Sequence, residues 1–401
     1  MTASLDKIPT SDVDLFSDEH LQDPYGDFKV LRDDGPAVRL SRLDVTALAR
    51  YKPVREAVDS WETFRSGQGV SLNDLLNKAW TGTVIASDPP YHTALRGVLN
   101  ERLSPRQVRK MSDDIDARVR PIVDELVDKG SFDAMKDCAY RIVPNFVVDV
   151  VGFPPEGSGS EHLLGWAEQI FNVNAPEDNK RMQESVPGLE KMFEWLATVA
   201  TKDNVSPGGF ARAIHDAAER GDIKPESVVP LMAGYSIPGT DTTLGILGNA
   251  IALFAQNPDQ WDLVRANPDE LMRPALVEVL RMDAPVQWFA RVLSRDWETD
   301  GVTIAEGTRV MLLFASANRD ERHYPDPDRF DVTRDPMDHV SFGGGVHGCP
   351  GQHLAQLQAN RLMRAFIDRG VQRFEITGPT QRSLNNTTRA FFELPVTVTV
   401  A

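Results

Sequence analysis

Two cysteines occur among the 401 residues, Cys138 and Cys349, and one of them has a setting in which sulfur can do chemistry. Cys349 closes a glycine-rich run within SFGGGVHGCPGQHLA (341–355), and LAQLQANRLMRAFI continues with apolar or small residues at helical spacing. The sulfur is therefore expected at a helix N-terminus, where free N–H groups and the helix dipole stabilise a thiolate. Pro350 follows directly, in a first turn where a proline costs no helical hydrogen bond. Gly343, Gly344, Gly345 and Gly348 permit backbone shapes and close approaches that a Cβ would block. Cys138, in KDCAYRI, has no such setting, and a lone cysteine is ordinarily a small core residue.

A second group lies in LMAGYSIPGTDTTLGILGNAIALFA (231–255). Pro238 interrupts a helical pattern; it donates no hydrogen bond and crowds the carbonyl of Gly234. Gly239 follows, so the helix is expected to distort here. Thr242, four residues beyond Pro238, can bond the Pro238 carbonyl, and Asp241 stands beside it. A DTT run is ordinarily capping chemistry in a loop, but the apolar pattern continues on both sides. A third pair, Glu278 and Arg281 in ALVEVLRMDAP, lies three residues apart and so shares one helix face. Taken alone, such a pair is usually a solvated surface contact.

The elements that must position these residues are mainly helical. From about 105 to 270 apolar residues recur three and four apart, broken by Pro- and Gly-marked loops at 154–160, 203–209 and 221–226. Strand-like alternation appears around 36–50, near 301–312 in DGVTIAEGTRVMLL, and again at 372–400. A long irregular stretch dense in Asp, Pro, Gly and Arg fills 318–348, and a loop of that length is usually functional. Apolar residues make up 41% of the chain, enough for a sizeable core. No apolar run of about 18 or more residues suits an ordinary membrane span. The start MTASLDKIPTSDVDLF does not resemble a secretory signal, so a cytoplasmic protein is expected. A net charge of −16 argues against a nucleic-acid partner. Two isolated thiols suit a reducing compartment and cannot build a cysteine-rich zinc or iron–sulfur site.

Phe342, Gly343, His347, Cys349 and Gly351, at these spacings, resemble the haem-binding signature of the cytochromes P450. The resemblance extends over essentially the whole chain. It implies the fold of that family, mainly α with a small β portion, as one domain over 1–401. Strands are then expected roughly at 30–65, 290–315 and 372–400, and helices roughly at 80–285 and 350–370. It implies haem b (iron protoporphyrin IX) as cofactor, with Cys349 as the thiolate ligand to iron. Phe342, Gly343 and Gly351 would lie against the cofactor. His92 and Arg96 in DPPYHTALR, Arg291 in WFAR, and His347 would bind the haem propionates. Glu278 and Arg281 would join Arg329 of the PDRF segment in a structural triad that ties the long loop down. Asp241 and Thr242 match the family's acid–alcohol pair, which relays protons to bound oxygen, although Pro238 stands where an Ala or Gly is usual.

The activity implied is a monooxygenase that inserts one oxygen atom from O2 into a C–H bond. Without a reductase domain, the chain would take electrons from an iron–sulfur ferredoxin and its NAD(P)H-dependent reductase, docking near Arg361 and Arg364. The rival readings are an H2O2-driven peroxygenase and a haem carrier or sensor without turnover; neither needs an intact Asp241–Thr242 pair. Segments such as GQGVSLND (67–74), LFASANRD (313–320) and SLNNTTRAFFELPV (383–396) are similar to the bacterial group that O-demethylates 4-alkoxybenzoates. Substrate contacts are assigned on that basis to Phe171, Asn174, Gly234, Val286 and Phe289. Ala233 and Gly234 replace an Arg-Ser pair that helps bind the substrate carboxylate in that group, Asn174 replaces a Phe, and WTGTVIAS is shortened. An unpaired buried carboxylate is costly, so a neutral small aromatic substrate is expected, such as a methoxyphenol, with hydroxylation or O-demethylation as the outcome.

Overall fold

A computed structural model describes residues 8–154 and 160–400 of the chain. The expected loop at 154–160 therefore lies almost wholly outside the described residues. The organising element is the helix Val228–Gln256, whose residues are buried on nearly every face. Its sequence is apolar all round, as a helix through the middle of a core must be. The helices Tyr140–Val151, Leu163–Asn172 and Gln352–Asp368 pack around it. The helix continues through Pro238 without a break. Three hydroxyls turn back onto its carbonyls: Ser236 onto Met232 at 3.0 Å, Thr240 onto Ser236 at 2.9 Å and Thr242 onto Pro238 at 2.5 Å. Thr242 thus satisfies the Pro238 carbonyl as the spacing implied.

Strands form the smaller part. The largest sheet runs Thr10–Ser11, Val38–Leu40, Val45–Leu48, Arg309–Leu313, Trp288–Leu293, Phe64–Arg65 in spatial order. Arg309–Leu313 pairs parallel with Val45–Leu48 and antiparallel with Trp288–Leu293. In the last of these strands alternate residues share a face, so Phe289 and Arg291 point the same way. A second sheet joins Val371–Ile376, Pro395–Val400 and Ser131–Asp133. Ser131–Asp133 and Thr10–Ser11 fall outside the stretches read as strand-bearing; at three and two residues they are too short to show alternation.

The stretch from 318 to 348 has little regular structure, and a buried ion pair holds it. Glu278 and Arg281 are both fully buried (0% exposed) and meet in two contacts, at 2.7 and 2.8 Å. The pair is thus the centre of a polar core, as the structural role given to Glu278 and Arg281 implied. Arg281 also donates to the carbonyls of Asn318 at 2.9 Å and Pro327 at 2.8 Å. The third member is Arg334, not Arg329: Arg334 Nε lies 3.2 Å from Glu278 Oε1. Arg329 is 65% exposed at the side chain and contributes only its carbonyl, to Arg281 and Arg334. The reason is local. Phe330 takes the inward position, packing on Phe254 at 5.7 Å, so its neighbour Arg329 turns outward and the chain returns to Glu278 four residues later.

Asn318 carries the tie onward. Its Nδ2 donates to Ser341 Oγ at 2.7 Å, its Oδ1 accepts from Val340 N at 2.8 Å, and Ser341 donates to the Leu280 carbonyl at 2.7 Å. Removing a partner from a buried charge typically costs about 3 kcal/mol, whereas an exposed arginine is worth within about 0.5 kcal/mol. Arg334→Ala should therefore lose about 3 kcal/mol in urea denaturation while Arg329→Ala stays near wild type; equal losses would contradict the placement.

Candidate active site

Cys349 lies between the turn 343–348 and the helix Gln352–Asp368. The helix begins slightly later than the sequence suggests, with Gly351 as its N-cap and Pro350 just outside it. Left-handed backbone at Gly343 (φ +67°) and Gly345 (φ +54°) bends the chain around so that Cys349 N reaches the Phe342 carbonyl at 2.8 Å. A Cβ on Gly345 would also come within 2.7 Å of the Val58 carbonyl oxygen. The turn is thus pressed onto the helix Tyr51–Asp59, and this contact, besides any flat group, requires glycine. Burial pushes the Cys349 thiol up, opposed by N–H donation from Gly351 and Gln352 and by the charge of Arg96.

The sulfur stands in the wall of a deep cavity that Thr242 also lines. Phe342, Gly343 and Gly351 line the same cavity as the sulfur, and so do Arg96, Arg291 and His347. Phe171, Asn174, Gly234, Val286 and Phe289 all line it as well. His92 is buried behind His347, their rings 4.5 Å apart. Asp241 is buried but does not line the cavity. The residues proposed for ligation, anion binding and substrate contact are therefore brought together. Glu278, Arg281 and Arg334 sit outside the cavity and act through the loop.

Several polar atoms around this cavity lack partners inside the protein, although Arg96 is bonded to the Gly348 carbonyl at 2.6 Å and to Asn100 Oδ1 at 3.2 Å. Arg291 is buried, its side chain donates only to the Ala290 carbonyl at 2.7 Å, and burial takes its guanidinium down to about 10. His92 Nε2 and both ring nitrogens of His347 are buried without a hydrogen bond. Burial also takes His92 down to about 4. Asp88, unnoticed in the sequence, lies 3.9 Å from both His347 and Arg65 and accepts the N–H groups of Ser66 and Gly67. Buried donors without acceptors are costly unless a guest supplies the acceptors. A flat cofactor carrying carboxylates beside a thiolate-ligated metal fits this donor set. Among the described residues no three His, Cys, Asp or Glu side chains could hold a metal ion together, so an iron at Cys349 would need further ligands such as a macrocycle brings.

Three more unpaired atoms belong to wall residues, Asn174 Oδ1, Trp80 Nε1 and Gln358 Oε1. Trp80 escaped the sequence reading because a tryptophan at helical spacing looks like core. Ser236, on the same helix, is turned back onto Met232 and does not line the cavity.

Burial raises Asp241 to about 6 from 3.8; the Thr388 hydroxyl opposes the rise and the charge of Glu168 adds to it. A raised value means the ionised form is disfavoured in the folded state. The group's favourable contribution is full below about pH 4 and is lost as pH rises through about 6. Asp241→Asn should therefore gain up to about 3 kcal/mol over wild type at pH 8, with the gain vanishing near pH 4. Thermal unfolding at both pH values tests this, and a variant less stable than wild type at pH 8 would contradict it.

The cytochrome P450 family pattern matches residues 219–398. Cytochrome p450 CYP199A2 of Rhodopseudomonas palustris (strain ATCC BAA-98 / CGA009) is 36% identical over 398 residues, covering 98% of this chain and 95% of that protein. Vitamin D(3) 25-hydroxylase of Pseudonocardia autotrophica is 30% identical over 374 residues, covering 90% of each. The structure of Mycobacterium marinum cytochrome P450 CYP268A2 in complex with pseudoionone superposes with a TM-score of 0.86 at 25% identity, covering 97% of this chain and 99% of that one. No described helix is long and apolar enough to cross a membrane. With that likeness running along nearly its whole length, and a cysteine-floored cavity that suits haem b, the chain is a cytochrome P450 monooxygenase.

Proposed function

We propose that the chain oxygenates a small, uncharged aromatic substrate, by hydroxylation or oxidative O-demethylation, with electrons from a separate ferredoxin and reductase. The observation that carries this reading is the distribution of charge around the cavity. Among the described wall residues the cationic side chains are Arg96 and Arg291, and His347, whose charged form burial disfavours, adds ring nitrogens that can donate or accept. These, with His92, would hold the haem propionates, and Cys349 would ligate the iron. Once they are engaged, no cation is left for a substrate carboxylate. Arg389, a conceivable substitute, is held by Asp283 at 2.9 Å and by two carbonyls, and Lys78 is exposed and off the wall. The remaining wall offers apolar surface at Phe171, Val286 and Phe289, with Asn174 Oδ1 and the Trp80 N–H as uncharged hydrogen-bonding groups. That combination suits a ring bearing a hydroxyl or an ether.

Bound haem supplies the redox-active iron at which dioxygen is activated, and a cysteine ligand raises electron density there. The protein's part is to supply protons and exclude bulk water. Thr242 commits its hydroxyl proton to the Pro238 carbonyl at 2.5 Å, so toward the cavity it presents lone pairs. It can thus accept a hydrogen bond from a proton-carrying group in the cavity and hold that group in place. Asp241 stands behind it, and a value of about 6 lets it give and regain a proton near neutral pH. The acid stays out of the cavity while the alcohol faces in, which keeps a carboxylate away from an apolar substrate.

Arg361 and Arg364, offered by the sequence for ferredoxin docking, face Asp116 and Asp269 respectively and are not free. Arg106, Arg109 and Lys110 are exposed and carry no ion pair among the described residues. The short helix Pro105–Arg109 packs on the ligand helix Gln352–Asp368, so this patch supports docking of an acidic iron–sulfur protein near Cys349.

Two outcomes test the reading. Cys349→Ala should lose the reduced, CO-bound absorption band for which the family is named; a variant that keeps it has another ligand. Neutral methoxyphenols should shift the haem spin state on titration, while 4-methoxybenzoate should bind on the order of a hundredfold more weakly, because its carboxylate is desolvated without a partner. Tight binding of the benzoate with no response to the phenols would reverse the substrate class.

A further inference from the structure

A second cleft, of about 360 Å3, shares no wall residue with the cavity at Cys349. It forms where the helices Val228–Gln256 and Pro268–Met282 end, and where Tyr25, Arg319, Arg382 and Arg389 meet them. Helix C-termini leave carbonyls unsatisfied, and cationic side chains are drawn to such places. The Met282 carbonyl accepts from Arg319 Nε at 2.8 Å and from the Tyr25 hydroxyl at 3.0 Å. Asp283, one residue on, is buried and accepts from Arg382 Nη2 at 2.5 Å, Arg389 Nε at 2.9 Å and the Tyr25 hydroxyl at 2.8 Å.

The three guanidinium groups are fixed by further contacts. That of Arg319 lies 3.5 Å from the centre of the Tyr25 ring, and that of Arg382 3.5 Å from the Phe391 ring. Arg382 Nη1 donates to Asn249 Oδ1 at 2.8 Å, and Arg389 Nη1 to the carbonyls of Leu21 at 3.2 Å and Gln22 at 2.9 Å. Cations held in this way lose little freedom on taking a ligand. Each nevertheless keeps a donor in reserve. Among the described residues Arg319 Nη2, Arg382 Nε and Arg389 Nη2 make no hydrogen bond, and none of these atoms is sealed from solvent. The Arg389 side chain is only 9% exposed, so its free donor belongs to a built site rather than to open surface. The carboxylates on the wall are Asp283, already engaged, and Asp328, which meets Arg319 Nη1 at 3.1 Å but is 74% exposed and so counters it weakly.

We propose that this cleft is an anion site, taking a phosphate group, free or carried by a small molecule, on Arg319, Arg382 and Arg389. Asp283 already supplies Arg382 and Arg389 with a carboxylate. The donors left over, one on each guanidinium, match in number the three oxygens that a terminal phosphate presents. The volume is roughly ten times one water's share of the liquid, more than a halide ion fills. Arg319 adjoins Asn318, which Arg281 holds, and Asp283 stands two residues before Pro285 in the substrate wall. A phosphate here would therefore brace the stretch 318–348, the substrate wall and the segments near both chain ends at once. The site is independent of the substrate class argued above.

The test uses the haem-loaded protein, so that the donors around Cys349 stay engaged. Calorimetric titration with inorganic phosphate and with glycerol phosphate is run in chloride buffer at fixed ionic strength. In a chain of net charge −16 diffuse attraction for phosphate is weak, so binding reports a local site. One site is expected, with a Kd of about a millimolar or tighter, and the unfolding temperature should rise with either ligand. The tighter of the two ligands shows whether the group arrives free or carried. Arg319→Gln should weaken binding roughly tenfold or more, through the loss of a charge-assisted donor. Asp328→Asn, which removes a competing carboxylate and frees a further N–H of Arg319, should tighten it severalfold. Arg329→Gln, at an exposed arginine off the cleft, should leave it unchanged. Should Arg319→Gln fail to fold, the direction of the Asp328→Asn effect decides. No binding of either phosphate, undiminished binding by folded Arg319→Gln, weaker binding by Asp328→Asn, or an equal loss in Arg329→Gln would each overturn the proposal.

Discussion

The buried pair Glu278–Arg281 is the contact on which the site depends. The cysteine proposed to ligate iron is carried by about thirty residues with almost no helix or sheet, so backbone hydrogen bonding alone cannot fix its height. The pair does so through carbonyls: Arg281 spends its remaining donors on Asn318 and Pro327, and Asn318 hands the constraint to Val340 and Ser341, next to Phe342. Burying two charges is seldom favourable by itself, and its return here is positional. Arg334 completes the arrangement because Glu278 has a second face to satisfy.

The cavity end near Cys349 inverts this logic. There Arg291 is buried with only its neighbour's carbonyl as a hydrogen-bond partner, and two histidine rings leave nitrogens unpaired. Structural charges in this chain are neutralised inside the protein, as at Asp283, held by Arg382 and Arg389. Those around the cavity wait for a guest. Asp241 is a milder case, an acid held in an apolar helix at the expense of stability, its ionisation raised toward neutral pH by burial.

The cysteine loop, the long helix and the mainly helical architecture were legible in the sequence because each carries a local signal: glycine spacing, an apolar run, a proline four residues before a threonine. The deviations share a cause. Arg329 and Arg334 have the same chemistry five residues apart, and only the inward turn of Phe330 decides which reaches Glu278. The continuity of the helix at Pro238 depends on packing from all sides, which overrides a local propensity. Asp88, Asn318 and Trp80 give no pattern at all; their places are set by contacts tens to hundreds of residues away in the chain, and sequence periodicity does not report on such contacts.

Phe289 and Arg291 lie two residues apart on one six-residue strand, facing the same cavity. One faces the space for substrate and the other the proposed anion site, and the pleat fixes the spacing between them. Substrate range can therefore drift by exchanging the ring at 289 while the anchor at 291 stays where it is. Inserting or deleting a single residue between them has no such freedom. It would swing one of the two side chains to the opposite face of the sheet. In the history of such a chain, this strand should accept replacements readily and changes of length hardly at all.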